Sequence, residues 1–362
     1  MTTTAFELGM YHFGELAPDP TTHEAPTPAV RLRELIEQAE VADDAGLDVF
    51  AVGEHHRGDF AVSVPAVVLA AMATRTQNIK LSSAVSVLSS DDPVRLFQQF
   101  ATLDLISGGR AEIIAGRGSY IESFPLFGHD LSEYSELYSD KLDLLLRLRQ
   151  ENPITWQGTT RSPLNVADIS PQPERELPVW VAVGGTPASA VRAAQLNLPL
   201  ALVIIGGSFH QFAPFVDLYR EAAAKFGHDP QNLKVSINSP GFIAPTHREA
   251  IDISHPYFES GWMANHHQRG RGVPMPRAAY EAQSTPRGAF LLGSPQEVID
   301  KILDQYEVFH HDRTMIQMGF GNVPQIEMLK SIELLGAEVA PVVRKEIALR
   351  EESRKAQGAL GR

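Results

Sequence analysis

The chain has 362 residues, a formal net charge of −13 and no cysteine. Its acidity argues against a nucleic-acid backbone or an anionic membrane as the main partner. The absence of thiols excludes disulfides, thiolate metal sites and cysteine nucleophiles, leaving His, Glu, Asp, Arg, Ser or a bound cofactor for any chemistry.

Phe6, Leu8 and Met10 alternate in a first strand that ends at Tyr11-His12-Phe13-Gly14-Glu15, and the Pro/Thr-rich stretch 17–28 reads as a loop. Leu32, Leu35, Ile36, Ala39 and Ala42 follow a helical stripe that Gly46 ends. The next strand, 48–53, runs straight into Glu54-His55-His56. Period-two alternation puts Glu54 and His56 on one face and His55 on the other. Ser63 to Pro65 has the order of an N-cap and a first-turn proline, opening a helix with Val64, Val67, Val68 and Ala71 on one face.

A third strand, 79–87, precedes Asp92-Pro93, which caps a helix carrying Leu96, Phe97, Phe100 and Leu103 and closed by Gly108-Gly109. Strand four, 111–115, runs into Gly116-Arg117-Gly118-Ser119. Residues 138–148 read as a helix and the proline-studded stretch 153–173 as an excursion. Strand five, 178–183, ends in Gly184-Gly185-Thr186-Pro187. A helix with Ala190, Val191 and Ala194, strand six over 200–205, a helix over 212–226 and strand seven over 234–243 follow. The pattern loosens from 246 to 287, where the polar, basic stretch Asn265 to Gly272, with His266, His267, Arg269 and Arg271, cannot be core. A helix over 295–306, strand eight over 314–318 ending at Gly319 to Asn322, and a helix marked by Ile326, Leu329, Ile332 and Leu335 complete the order.

Strands that each feed a helix, with no hairpin turn among them, predict the α/β class and a closed parallel (β/α)8 TIM barrel with loop insertions. The expected division is one barrel domain over 1–343 and a charged C-terminal tail over 344–362. The first residues show no leader pattern and no run of about 18 apolar residues occurs. A cytoplasmic protein without a membrane span is therefore expected.

Active sites of such barrels lie where the strands end, so the tips collect the candidates. The Gly184-Gly185 turn, Thr186 as N-cap, Pro187 and the Ser189 hydroxyl would make a helix N-terminus open to a phosphate, although a plain cap explains Thr186-Pro187 equally well. Arg117 could fork onto that phosphate or be a surface arginine. The competing phosphate location is Gly319 to Asn322, near the last strands. The pairs His55-His56, His266-His267 and His310-His311 match no known ligand spacing, so no metal is expected. Of the second strand's end, either His55 or the pair Glu54 and His56 can face the barrel mouth. His55 is chosen as catalytic, because an imidazole moves protons near neutral pH.

Several stations together are specific in order and spacing: Glu54-His55-His56, Ser83-Ala84-Val85-Ser86-Val87-Leu88 with Asp92-Pro93-Val94-Arg95, Ile106-Ser107-Gly108-Gly109-Arg110, Gly116-Arg117-Gly118, Val183-Gly184-Gly185 and the Leu-Gly-Ser-Pro-Gln-Glu within 290–298. From strand one to about Val343 the chain resembles the bacterial luciferase-like, flavin-dependent monooxygenase family. The resemblance implies a barrel that uses FMN, usually reduced, with O2 on a small organic substrate, electrons from a flavin reductase or NAD(P)H, and often a homodimer. It implies His55 as the active-site histidine, a non-prolyl cis peptide at Ala84-Val85 under the flavin ring and Arg117 on the phosphate. Glu54, Gly184, Gly185, Thr186 and Ser189 complete the implied cofactor site. Gly185 stands where luciferase has a phosphate-binding serine, so Thr186 or Ser189 must replace that contact. A second phosphate arginine has no clear counterpart between Tyr134 and Leu144, and the reactive cysteine position is Gly116. The first loop and Asn265 to Gly272 are candidate lids. A reductase of the same superfamily using NADPH or a deazaflavin, and a flavin-binding subunit without turnover, are the alternatives.

Overall fold

Eight strands close a parallel barrel in the computed structural model, which describes residues 5–118, 120–267 and 274–360. They are β1 (Glu7–His12), β2 (Val49–Val52), β3 (Lys80–Ser83), β4 (Ala111–Gly116), β5 (Val179–Val183), β6 (Leu200–Val203), β7 (Val235–Ile243) and β8 (Arg313–Gln317). Each pairs with the next and β8 pairs back onto β1. Parallel neighbours require a crossover, and helices supply it. The helix Pro93–Ser107 shows why these residues choose that state: Asp92 accepts from the Val94 and Arg95 amides, Pro93 occupies the first turn, and Gly108 ends the helix at φ 68°.

Side chains of one parity point outward. Leu8, Met10, Phe50, Val52, Leu81, Ile113, Val181 and Leu202 join the helices in one continuous core. The other parity fills the barrel in separate groups, Tyr11, Val49, Ala51 and Met315 in one and Ile114, Trp180 and Ala201 in another. Arg110 of the Ser-Gly-Gly-Arg stretch is structural: its guanidinium donates to the carbonyls of Ala73, Thr76 and Ile79, tying the end of one helix to the start of β3.

Several expectations change. The third strand breaks after Ser83 and resumes at Ser86–Val87, and the Ala84-Val85 peptide between the two parts is cis. The excursion holds an antiparallel hairpin, Ile154–Trp156 with Leu164–Ala167, too short to signal itself in sequence. The loose stretch contains a helix, His247–His267, with Pro256 inside it and a proline-masked pattern. Helix Pro65–Ala73 buries Ala66, Leu69, Met72 and Ala73, while of the stripe read from spacing Val64 and Val67 are exposed and Val68 packs partly buried against the core. Every residue of that helix is apolar, so periodicity carries no direction there. Its N-cap is Val64 rather than Ser63. Residues beyond 343 continue the helix Ala340–Leu360, with Ile347 buried and Arg344 paired to Asp48.

At the floor of the barrel sits a closed charge network. Arg313, 1% exposed, donates to Glu7 at 2.6 Å and to Glu112 at 2.8 Å, lies over the Trp180 ring at 4.4 Å, and Lys80 pairs with Glu7. Burial alone would raise the Glu7 pKa, but the Arg313 and Lys80 charges bring it below the ordinary value. Breaking a buried pair by removing one member costs roughly 3–5 kcal/mol, because the remaining charge loses its partner. Arg313→Met is therefore expected to lose about that much stability in urea unfolding at pH 7. A depressed carboxyl stabilises above its unfolded pKa and ceases to as pH falls through its folded one. On acidification below about pH 4.5, wild type should then lose more stability than Glu7→Gln. Unchanged unfolding midpoints in both comparisons would refute the network's role.

Candidate active site

Past Val52, the alternation of β2 persists into the loop. Gly53 keeps the inward parity, and a Cβ there would lie 2.5 Å from the Ala84 carbonyl oxygen and 2.2 Å from Phe13, so only glycine lets the tips of β1, β2 and β3 close together. Glu54 turns the other way, and its Oε1 accepts from the Val87 amide at 2.5 Å. The carboxyl thus grips the chain just past the cis peptide, while Val85 fills the space a Gly116 side chain would need. His55 keeps the inward side: its ring centroid is 5.2 Å from that of Phe13, which packs on the barrel-interior group. Phe60 at 4.3 Å and Tyr120 at 4.6 Å flank it further, and Nδ1 lies 3.1 Å from Glu122 Oε1. His56 instead meets Phe127 edge-on.

The electrostatics differ sharply between neighbours. Burial pushes the Glu54 carboxyl up to about 8, against the Val87 hydrogen bond and with a further push from Asp91. Burial likewise carries Glu15, behind the tip of β1, to about 8 against the Arg31 charge. Burial lowers His12 well below its usual value, and its Nδ1 accepts from the Gly14 amide at 2.8 Å. Glu122 goes the other way. Burial opposes its charge, but the His55 hydrogen bond, its own backbone amide and the Arg57 charge hold it below the ordinary carboxylate value.

The tips of β4 and β5 meet through side chains: Arg117 donates to Ser189 Oγ at 3.1 Å and lies over the Tyr134 ring at 5.1 Å. Thr186 is the N-cap of the helix Pro187–Gln195, yet its side chain makes no capping bond. A Cβ built on Gly184 or Gly185 meets nothing within 4 Å, and Gly185 has φ 109°, a conformation other residues rarely take. This is an open turn with a helix N-terminus, a hydroxyl and a guanidinium around it, a donor set that fits an anion. The competing tip is filled: a Cβ on Gly319 would strike His12 at 2.3 Å, one on Gly321 would strike the Tyr257 carbonyl oxygen at 2.0 Å, and Asn322 accepts from Arg31.

Glu122, Phe60, Tyr120 and Arg57 escaped the sequence reading. Glu122 is 67 residues from His55 and belongs to no motif of its own, so no local signal could have paired them. The first loop touches the helix His247–His267 through Asp19 to Tyr257 and the Pro18 carbonyl to Ser260. Ser119 and Arg269 to Arg271 lie outside the described residues, as do the side chains of His266 and His267. Among the described residues no group of three or more His, Asp or Glu could hold a metal ion, and no helix is long and apolar enough to cross a membrane.

Residues 6–311 match the family model described as luciferase-like monooxygenase. The chain is 24% identical to an alkanal monooxygenase alpha chain from a Kryptophanaron alfredi symbiont, over 87% of this chain and 94% of that one. It is also 24% identical to the oxygenase component of a flavin-dependent trigonelline monooxygenase from Acinetobacter baylyi, over 77% and 81%. In fold it resembles the monooxygenase RslO1 from Streptomyces bottropensis, with a TM-score of 0.80, 24% identity and coverage of 92% and 99%. A likeness of fold extends to a coenzyme F420-dependent reductase from Methanopyrus kandleri, with a TM-score of 0.70, 19% identity and coverage of 94% and 100%.

The buried Glu54 carboxyl yields a test. A carboxyl with a raised folded pKa is favoured in its protonated form, so the stability it contributes is present below the ordinary value of 4.5 and lost as pH rises toward about 8. Glu54→Gln keeps an acceptor for the Val87 amide and removes the titration. Its stability relative to wild type should rise steadily between pH 5 and pH 8 in urea unfolding, whereas a constant difference would contradict the burial argument.

Proposed function

The chain belongs to the luciferase-like monooxygenase family, and on that premise we propose that it is the oxygenating protein of a flavin-dependent monooxygenase, taking reduced FMN from a separate flavin reductase and using O2 on a small organic substrate. The observation that carries this reading is the open turn at Gly184-Gly185, which leads into the helix whose Ser189 hydroxyl accepts from Arg117. The terminal phosphate of a flavin would fit there, and the relative named as an oxygenase component gives the two-protein arrangement its precedent. Reduced FMN, when bound, would supply the two electrons that let one atom of O2 enter the substrate while the other leaves as water.

The residues of this chain hold and shield. Arg117, Ser189, Thr186 and the backbone of Gly184 and Gly185 would hold the phosphate, and the tips carrying Gly53, Ala84 and Val85 pack tightly beside one another. Phe13, Phe60 and Tyr120 surround His55 with apolar rings that keep water from it. Glu54, neutral below pH of about 8, adds no negative charge beneath the site. His55 is left as the group that takes up or returns a proton during oxygenation, help worth roughly 10² to 10⁴ in rate.

Protein mixed with FMN, a flavin reductase and NADH should show O2 uptake that depends on an organic substrate rather than futile release of hydrogen peroxide. His55→Ala should lower that coupled rate by about 10² to 10⁴ with FMN affinity near wild type, and His56→Ala should do much less. Oxidation of a reduced deazaflavin without need for O2 would place the protein among the reductases instead. Flavin binding with no coupled uptake on any substrate would make it a partner subunit.

A further inference from the structure

We infer that Glu122 is the positioning residue of His55: its carboxylate keeps the imidazole proton on Nδ1 and leaves Nε2 as the bare nitrogen on the opposite side of the ring. The inference rests on His55 being the proton-moving group of the proposed oxygenation.

Glu122 directly precedes the short helix Ser123–Leu126, and its side chain makes no bond to the amides of that helix. It reaches across to His55 instead, at 3.1 Å, with side chains only 11% and 20% exposed. The His55 hydrogen bond and the Arg57 charge keep the carboxyl ionised at neutral pH. An ionised carboxylate has no proton to give, so Nδ1 must be the donor. In the neutral ring the proton is then spent on Glu122, and Nε2 is the acceptor. Phe13, Phe60 and Tyr120 pack around the ring and oppose a flip that would exchange the two nitrogens.

The tip of β1 offers a built-in contrast. His12 Nδ1 accepts from the Gly14 amide, which forces its proton onto Nε2. The fold thus sets two histidines at neighbouring strand ends in opposite tautomers, each through its Nδ1 partner. A group that must abstract or return a proton works only if the correct nitrogen is bare, and a wrong tautomer in an otherwise intact site has cost about 10⁴ in a serine-protease triad.

Flavin-free protein labelled with ¹⁵N-histidine reads the tautomer directly at a pH where the rings are neutral, with His55→Gln identifying the His55 signals. Wild type should carry the His55 proton on Nδ1. Glu122→Gln, whose amide oxygen still accepts, should retain it, and Glu122→Ala should lose it to a mixture, with His12 on Nε2 throughout. Substrate-coupled turnover should fall by about tenfold or more in Glu122→Ala, with KM for reduced FMN within about twofold of wild type, and recover toward wild type in Glu122→Gln. A wild-type proton on Nε2, an unchanged tautomer in Glu122→Ala, or full turnover in that variant would overturn the inference. The expected tautomer shift in a protein with no flavin-dependent turnover would support the positioning contact and contradict the functional reading alone.

Discussion

The site at the top of the barrel depends on a guanidinium at the bottom. Arg313 opens β8 and reaches the first residue of β1 and the second of β4, so one buried cation is shared by three strands. Side-chain direction in a strand has period two, and a slip of one residue would turn Arg313 into the apolar layer beneath the helices. That penalty helps fix the β8 to β1 register, and the pairing of Gly9 with Val49 carries it into β2. The inward parity of Val49, Ala51 and Gly53, and of His55 beyond them, follows from it.

Charge is handled in opposite ways at the two ends. At the floor, the carboxylates of Glu7 and Glu112 are paired with the buried Arg313; at the mouth, burial pushes the carboxyls of Glu54 and Glu15 toward their neutral forms. The mouth also sorts its glycines. Gly53 and Gly116 are crowded because neighbouring tips press against them, Gly319 and Gly321 because His12 and Tyr257 do, whereas Gly184 and Gly185 face open space. Crowded glycines bring backbone together; open ones leave room for something the chain itself does not supply.

The barrel was legible because its strands and helices differ in period and its turns carry glycine, proline and capping residues at the ends, as Asp92-Pro93 and Gly108 show. What stayed hidden had physical reasons. Pro65 to Ala73 is apolar on every side, so spacing there could not say which side is buried, and the helix from His247 was masked by an internal proline and polar residues. Within the site, the sequence singled out His55, Glu54, Arg117 and the Gly184 to Ser189 turn, and the fold brings Arg117 against Ser189 and Glu54 against Val87. Glu122 could not be found from sequence, since its partner lies two strands away in the barrel and only closure of the tips brings them into contact.

The position of the flavin phosphate tests this account most directly. Crystals grown with FMN should show the phosphate at the turn from Gly184 to Ser189, within hydrogen-bond reach of Arg117 and the Ser189 hydroxyl. A phosphate seated at Gly319 to Asn322, with the Gly184-Gly185 turn left to solvent, would contradict it.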